Sequence, residues 1–334
     1  MDLKGKHFLT TSDWTKEELD VVFQRAAELK EQFYKEEPHL YLPWKTLFMI
    51  FFEQSTRTRN SMEAGMTQLG GHAHDLTADK MQLSHGESAK DTAIILSRMG
   101  HGIASRNCFY GIGKDYLAEM GRHSTKPVMS LQDDVYHPFQ GLADLMTIFE
   151  KFGPDTKGLK VTVSWAYADT HSKPLSVPQT QALLFPRYGI DLTIANPKEF
   201  PLSNDIIERA EKNAIIGGGS LKFTDDMDEA FEGAQIVIPK NWGGFGHYSV
   251  PDYMANEDEC KVEMKENLEK YHDWICDRRR INLANKDVKL MHALPADRGH
   301  EVTDEVIDDE NISVVFDEAE NRLHTAKAIM SLTM

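Results

Sequence analysis

The sequence has few cysteines and a shortage of basic residues, and each shortage argues against a class of protein. Its three cysteines, Cys108, Cys260 and Cys276, are an odd number at wide spacing. Such spacing fits neither a disulfide framework nor a structural zinc site. Lysine and arginine number 37 against 53 acidic residues, which gives a formal net charge of −16. Because surfaces for nucleic acid or anionic membranes need clustered basic side chains, we expect neither partner.

Long apolar runs and the common cofactor motifs are also missing. No apolar run reaches the roughly 20 residues needed to span a bilayer, and the first residues lack the apolar core of a signal peptide. A cytoplasmic protein is therefore expected. Neither His-Glu-x-x-His nor Cys-x-x-Cys occurs, and no Gly-x-Gly-x-x-Gly follows a predicted strand. Hence we expect no metal and no organic cofactor.

What the sequence does contain indicates two α/β domains. A chain of 334 residues exceeds the roughly 250–300 at which a single core stops growing. Apolar runs of strand length alternate with helical patterns, which is typical of parallel sheets covered by helices. Turn residues at Gly153 interrupt the series. We therefore expect a first domain over 1–152, a second over 153–318, and a terminal helix over 319–334 that packs back on the first domain.

The individual elements follow from hydrophobic periodicity and turn residues. The predicted strands are Thr46–Phe52, Gly102–Arg106, Pro127–Leu131, Lys160–Tyr167, Asp191–Ala195, Leu221–Thr224, Gln235–Pro239, Val288–Ala293 and Ile312–Phe316. The main predicted helices are Asp13–Tyr34, Asn60–Leu69, Ser88–Met99, Lys114–Gly121, Pro138–Phe152, Asn204–Ile216, Glu257–Arg280 and Asn321–Leu332.

The strongest local signal is the polar segment Ser55–Arg59, which lies between a buried strand and a helix that starts near Thr56. Hydroxyl groups, guanidinium groups and backbone N–H donors meet there at a helix N-terminus, where the macrodipole favours an anion. Arg57 is suited to bidentate phosphate contact. The segment therefore predicts a phosphate site, with a solvated polar turn as the alternative.

A second signal is His137-Pro138-Phe139-Gln140, at the start of the helix that follows a predicted strand. An imidazole can donate to a carbonyl oxygen, and a carboxamide can donate to or accept from an amide. A carbamoyl group presents both a C=O and an NH₂, so this pair suits it. Taken alone, a His-Pro pair is also an ordinary way to begin a helix.

Four motifs in order relate the chain to a known superfamily. Ser55–Arg59, His137–Gln140, His292–Pro295 and Glu318–His324 match the Ser-Thr-Arg-Thr-Arg, His-Pro-x-Gln, His-x-Leu-Pro and Glu-Asn-Arg-x-His motifs of aspartate and ornithine transcarbamylases. The chain resembles these enzymes over nearly its whole length. The resemblance implies transfer of the carbamoyl group of carbamoyl phosphate to a small amine or amino acid, on a carbamoyl phosphate domain followed by a Rossmann-like acceptor domain.

The resemblance also implies roles for individual residues. Those expected to bind carbamoyl phosphate are Ser55, Thr56, Arg57, Thr58, Gln82, Arg106, His137, Gln140, Leu294 and Arg322, Leu294 through its backbone. Those expected to be catalytic are Arg57, Thr58, Arg106, His137, Gln140 and Arg322. Gln82 lies in a segment similar to the family's mobile loop, which reaches the active site of a neighbouring subunit. The resemblance therefore implies a homotrimer with shared active sites.

The acceptor half departs from the ornithine enzymes. Ala293 stands where they have cysteine, and their Ser-Met-Gly loop has no counterpart. A proline-bearing extension over 164–179 resembles the acetylornithine and succinylornithine branch and its relatives of unassigned substrate, which implies a knotted second domain. By position, the expected acceptor-binding residues are Asp133, Lys240 and Trp242.

Three other interpretations stay open from the sequence. The acceptor could be ornithine or an N-acylornithine. A catalytically silent paralogue could bind carbamoyl phosphate without turning it over, although the retained site residues disfavour this. A dinucleotide-dependent oxidoreductase rests on the α/β alternation alone, and a fold does not establish a function.

Overall fold

A computed structural model describes residues 1–77, 81, 86–168, 173–243, 266 and 268–334. The chain divides into two compact units, the first made of Met1–Met146 and Glu320–Met334 and the second of Thr147–Ala319. Both units are built on parallel sheets with helices between successive strands, which confirms the predicted fold class. The division falls inside two helices.

The first unit contains a four-stranded sheet in the order β2-β1-β3-β4, with every pair parallel. Its strands are β1 (Thr46–Phe51), β2 (His72–Thr77), β3 (Gly102–Asn107) and β4 (Val128–Asp133). Its helices are a 3-10 turn (Thr11–Asp13), α1 (Lys16–Tyr34), α2 (Thr56–Gln68), α3 (Ala89–Met99), α4 (Gly113–His123) and the start of α5 (Pro138–Phe152). The apolar faces of β1, β3, α3 and α4 meet in a buried core.

The second unit contains a five-stranded parallel sheet in the order β7-β6-β5-β8-β9. Its strands are β5 (Lys160–Trp165), β6 (Asp191–Ala195), β7 (Ser220–Thr224), β8 (Ile236–Lys240) and β9 (Lys289–Leu290). Its helices are α6 (Ser176–Leu184), a 3-10 turn (Phe185–Tyr188), α7 (Asn204–Gly217), α8 (Met227–Phe231), α9 (Arg278–Ile281), α10 (Asp304–Ile307) and the start of α11 (Val315–Thr333).

Each sheet has a point at which the strand order reverses. In the first sheet β1 lies between β2 and β3, and in the second β5 lies between β6 and β8. Ligands of open α/β sheets bind beyond the carboxyl ends of the strands at this point, because the connecting helices leave on opposite faces there. The chain after β1 is Glu53–Arg59, so the topology places the predicted phosphate segment at such a point.

Several predicted elements require correction. Ile312–Phe316 is not a strand, since Ser313 makes only an isolated bridge to Leu290 and α11 already begins at Val315. The strand predicted over Val288–Ala293 shortens to β9. Of the helix predicted over Glu257–Arg280, residues 257–265 and 267 lie outside the described residues. Glu266, Leu268 and Glu269 are helical, a turn follows over 270–273, and the next helix begins at Arg278.

Strand β2 is not among the elements predicted from the sequence. Its residues His72–Thr77 are mainly polar and partly exposed, because β2 lies at the edge of the sheet and pairs only with β1. An edge strand needs no continuous apolar run, which removes the signal that identified β1.

Candidate active site

The predicted phosphate segment lies at the N-terminus of α2. Ser55 precedes the helix in an extended conformation, and in this described helix its hydroxyl caps no N–H group of the first turn. Those N–H donors point in the direction that favours an anion. Arg59 makes contacts of a different kind, because its Nη1 lies 2.5 Å from Asp75 Oδ2 and its guanidinium lies 4.7 Å from the centre of the Phe51 ring. Arg59 therefore fastens α2 to β2.

Arg322, on α11, joins two other motifs. Its Nη2 donates to Thr58 Oγ1 over 2.7 Å and its Nη1 donates to Gln140 Oε1 over 2.7 Å. The amide of Gln140 in turn donates to Asp144 Oδ1 over 2.6 Å. All four side chains are buried. Residues from α2, α5 and α11, far apart in the sequence, thus meet in one hydrogen-bonded group within the first unit.

His137 is presented by the loop between β4 and α5. Its carbonyl accepts the N–H groups of Gln140 and Gly141, which starts the helix. The loop is held by Asp133, whose Oδ1 accepts the N–H groups of Val135 and Tyr136 at 2.9 and 2.6 Å. These hydrogen bonds therefore fix the backbone position from which the His137 side chain extends.

Both carboxylate oxygens of Asp133 accept hydrogen bonds from neighbouring residues of β4 and the loop. Its second oxygen accepts the Ser130 hydroxyl at 2.8 Å. Burial raises the pKa of Asp133 to about 7, although these hydrogen bonds act in the opposite direction. Such geometry indicates a structural role in presenting His137, and it does not support the acceptor-binding role predicted for Asp133.

Arg106 lies at the end of β3, near the carboxyl end of β1. Its Nη1 donates to Gln132 Oε1, and its Nε lies 3.8 Å from Glu53 Oε2. Glu53 also accepts the N–H of Cys108 at 2.8 Å. Gln132 on β4 and Glu53 just beyond β1 thus hold the guanidinium at the carboxyl ends of the strands, where the phosphate segment also lies.

In the second unit, Lys240 and Trp242 follow the carboxyl end of β8. Lys240 is buried and is the last residue of the strand. Trp242 is a core residue: its Nε1 donates to the Phe200 carbonyl at 2.9 Å, and its own carbonyl accepts Nε1 of Trp165 at 2.9 Å. This burial does not support the acceptor-binding role predicted for Trp242, while Lys240 remains a candidate.

Sequence reasoning missed Glu301, the centre of a buried polar cluster in the second unit. Its Oε1 accepts the N–H of Asn241 at 2.7 Å and lies 3.7 Å from Lys240 Nζ. Its Oε2 accepts the N–H of Asp297 at 2.7 Å and lies 3.0 Å from Lys173 Nζ. A single glutamate in an acidic stretch carries no local pattern, so only the tertiary contacts identify it.

The same cluster fixes the turn that contains Leu294. Burial opposes ionisation of Glu301, but His292, Lys240 and Lys173 hold its pKa well below the ordinary value. His292 Nε2 lies 3.1 Å from Glu301 Oε2, and His292 Nδ1 accepts the N–H of Leu294 at 2.8 Å. Because Nδ1 accepts an N–H, the ring proton lies on Nε2, facing Glu301, and burial, which lowers the pKa of His292, favours this neutral form. The contacts hold Leu294 at a φ of 49°, which few non-glycine residues adopt.

The remaining predicted residue, Gln82, lies outside the described residues. Among the described residues, no three His, Cys, Asp or Glu side chains are grouped so as to hold a metal ion. Over the same residues, no helix is both long and apolar enough to cross a membrane.

Two family matches cover most of the chain. Residues 6–150 match the carbamoyl phosphate-binding domain of aspartate/ornithine carbamoyltransferases, and residues 166–333 match the Asp/Orn-binding domain of the same enzymes. Ornithine carbamoyltransferase of Halalkalibacterium halodurans is 36% identical over 99% of this chain and 96% of its own length. The enzyme of Pyrococcus abyssi is 36% identical over 100% of this chain and 97% of its own.

Solved structures give the same result. Ornithine carbamoyltransferase from Pyrococcus furiosus superposes with a TM-score of 0.87 at 34% identity, covering 100% of this chain and 98% of its own. A variant of N-acetyl-L-ornithine transcarbamylase complexed with carbamyl phosphate and N-succinyl-L-norvaline superposes with a TM-score of 0.88 at 30% identity, covering 98% of this chain and 100% of its own. Relatives with two different acceptors thus resemble this chain to a similar degree.

Proposed function

The chain belongs to the aspartate/ornithine carbamoyltransferase family and transfers the carbamoyl group of carbamoyl phosphate to an amino group, and from this premise we propose which residues carry each half of the reaction. The donor phosphate binds at the N-terminus of α2. Helix N–H groups, hydroxyls and fixed guanidinium groups provide the donors that a phosphate dianion requires. The residues proposed to bind it are Ser55, Thr56, Arg57, Thr58 and Arg106.

The carbamoyl end of the donor binds His137, Gln140 and Arg322, all in the first unit, and a contribution from the backbone of Leu294 stays a prediction of the resemblance. The observation that carries this assignment is the forked contact of Arg322 with Thr58 and Gln140. A guanidinium placed this way aligns a group from the phosphate segment with a group from the carbamoyl motif. Such alignment is what positioning catalysis requires.

The chemistry needs charge stabilisation more than acid–base groups. The neutral amine of the acceptor attacks the carbamoyl carbon and negative charge grows on the carbonyl oxygen. The bond between the carbamoyl carbon and the phosphate oxygen then breaks, and the departing phosphate takes the proton that the amine nitrogen loses. Thr58, Arg106 and His137 stabilise the developing charge. Arg57 and the N-terminus of α2 favour the departing phosphate.

A direct test of the donor site is Arg57→Ala, with carbamoyl phosphate binding measured by calorimetry. We expect binding to be lost while the melting temperature stays close to that of the wild type. The matched control is Arg59→Ala two residues further on, which breaks the pair with Asp75 and is expected to lower stability but keep binding. Unchanged affinity in Arg57→Ala would remove the donor assignment.

For the acceptor, we propose a small amine that also carries a carboxylate, bound by Lys240. Lys240 stands at the carboxyl end of β8, next to the central strand β5 of the second sheet, and its ammonium group is buried near Glu301. A buried ammonium group is suited to an anionic partner. The second unit matches the family's Asp/Orn-binding domain, but the ornithine-type Ser-Met-Gly loop is missing. Acceptors other than ornithine are therefore included in the test.

The acceptor is identified with a panel of ornithine, N-acylornithines, other amino acids and diamines, each incubated with carbamoyl phosphate and assayed for a ureido product. We expect the enzyme to turn over a panel member that carries a carboxylate. Lys240→Met should raise the KM for that acceptor without weakening the binding of carbamoyl phosphate. Turnover of diamines alone would contradict the role of Lys240. No turnover at all, with no rise in melting temperature on adding carbamoyl phosphate, would contradict the whole assignment.

We also propose a homotrimer in which Gln82 reaches the active site of a neighbouring subunit, and a cytoplasmic location. The trimer is supported by the family resemblance of the segment around Gln82. The cytoplasmic location is supported by Cys108 and Cys276, which are free thiols, because reducing compartments keep thiols unpaired. The knotted second domain stays a prediction of the resemblance, because it involves segments partly outside the described residues.

A further inference from the structure

Gln132, which belongs to none of the sequence motifs, is brought beside Arg106 by an irregularity in the sheet. Strands β3 and β4 pair in parallel, but their register shifts between Ser105 and Arg106. Ser105 lies opposite Ser130, whereas Arg106 lies opposite Gln132, so Leu131 is omitted from the pairing. Bulges of this kind re-aim side chains next to active sites. Here the bulge places a carboxamide opposite the guanidinium of Arg106.

The contact between the two side chains is direct. Arg106 Nη1 donates to Gln132 Oε1, and Gln132 is only 5% exposed. The guanidinium has donors only, so the amide must present its oxygen to it. The carboxylate of Glu53 is less well placed, with Oε2 3.8 Å from Arg106 Nε and Oε1 taken by the N–H of Cys108. Gln132 therefore makes the closer of the two contacts.

We propose that Gln132 is a positioning residue for the donor substrate: it orients the Arg106 guanidinium toward the phosphate without neutralising its charge. This rests on the proposed role of Arg106 in binding carbamoyl phosphate. A carboxamide offers a hydrogen-bond acceptor with no net charge, so Gln132 orients Arg106 without adding a second carboxylate to that of Glu53, whose Oε2 lies 3.8 Å from Nε. A carboxylate in the same place would form an ion pair with Arg106 and compete with the phosphate.

The test compares Gln132→Met with Gln132→Glu in the full chain, using carbamoyl phosphate and inorganic phosphate as calorimetric probes. Methionine fills a similar volume but cannot accept the hydrogen bond, so both affinities should fall by about tenfold. Glutamate is the closer match in shape, yet its charge should weaken both by about a hundredfold. A residue that only filled space would give the opposite order, with Gln132→Glu the milder change.

Matched controls separate this inference from the proposed function. Gln24→Met and Gln24→Glu, on the exposed side of α1, should leave both affinities unchanged. Arg106→Met should abolish tight phosphate binding, and if it does not, the donor site itself is misassigned. If Arg106→Met weakens binding but a folded Gln132→Met binds like the wild type, only the role of Gln132 is overturned. Melting temperatures verify folding, and Gln132→Met decides alone if Gln132→Glu does not fold.

Discussion

At the scale of single residues, the proposed donor site contains guanidinium groups whose direction is set by the protein. Arg322 uses two of its donors on Thr58 and Gln140, and Arg106 uses one on Gln132. A flexible cation would have to be ordered by the substrate at an entropic cost, whereas these groups are ordered before it arrives. The rigid fork of arginine is therefore more important here than its charge alone.

The forked contact of Arg322 predicts the effect of Arg322→Lys, which keeps the charge and removes the fork. A lysine cannot donate to Thr58 and Gln140 in the same geometry, so at least one buried acceptor loses its partner. We expect the dissociation constant of carbamoyl phosphate to rise by about tenfold or more. Calorimetric titration measures it, with Arg122→Lys, at an exposed position in the last turn of α4, as the control. Equal affinity in the Arg322→Lys and wild-type proteins would show that the fork is dispensable.

A second buried cation on α11, Lys327, has no carboxylate among its hydrogen-bond partners in the described part of the chain. Its Nζ lies 2.9 Å from Gln68 Oε1, 3.2 Å from His39 Nε2 and 3.3 Å from the Leu29 carbonyl. His39 Nδ1 lies 2.8 Å from the Glu37 carbonyl and carries the ring proton, which leaves Nε2 to accept. These acceptors satisfy the ammonium group but do not neutralise it, and burial lowers the pKa of Lys327 to about 8.

The lowered pKa of Lys327 predicts that stability rises in mildly alkaline solution. In the unfolded chain a lysine keeps a pKa of about 10.4, so between about pH 8 and 10 the unfolded state binds more protons than the folded state. The free energy of unfolding should therefore gain about 2 kcal/mol from this group over that range. Urea unfolding at several pH values measures the slope. The slope of unfolding free energy against pH should diminish in Lys327→Met and persist in Lys212→Met, on an exposed face of α7. Equal slopes in these two variants and the wild type would contradict the assignment of this effect to Lys327.

At the scale of elements, the sequence predicted those strands and helices whose pattern is local. The apolar run at Thr46 indicated β1, and Pro138 with the helical period indicated α5 with both bounds correct. The run at Ile312 was misread because a short apolar run fits a strand or the first turn of a buried helix equally well. The proposed site follows the same rule. Contiguous motifs predicted the donor residues, while Glu301 and Gln132 depend on tertiary pairing and a bulge that no local pattern encodes.

The N-terminus of α1 predicts how much a capping residue contributes to stability. Glu18 N–H donates to Thr15 Oγ1 at 3.2 Å, and Thr15 N–H donates to Glu18 Oε2 at 2.7 Å, and the two bonds form a capping box. Thr15→Ala removes one of the two bonds and should lower the free energy of unfolding by about 1 kcal/mol. Thr303 precedes α10 but makes no capping bond in this described helix. Thr303→Ala should therefore lower the free energy of unfolding much less. An equal loss in both variants would show that the capping box does not contribute to stability.

At the scale of the whole molecule, the proposed trimer divides each active site between subunits. Arg57 and Arg322 both belong to the first unit of one chain, whereas Gln82 is proposed to serve the site of a neighbour. In a closed cyclic assembly every subunit then gives one residue and receives one. A defect in Arg57 and a defect in Gln82 consequently fall on different chains of a mixed trimer.

Subunit mixing tests this division. Arg57→Ala and Gln82→Ala proteins, each inactive alone, are dissociated, combined in equal amounts and reassembled. If each site takes Arg57 from one chain and Gln82 from the next, random assembly leaves about a quarter of the sites intact, and the mixture should recover about a quarter of the wild-type activity. The control mixes Arg57→Ala with Arg322→Ala, whose defects fall in the same chain's half of the site, so no site is restored. Both mixtures contain two defective proteins in the same ratio. Recovery of activity in the first mixture and not in the second can therefore arise only from sites completed across a subunit boundary. If the first mixture recovers no activity, Gln82 lies in its own subunit's site or outside the site.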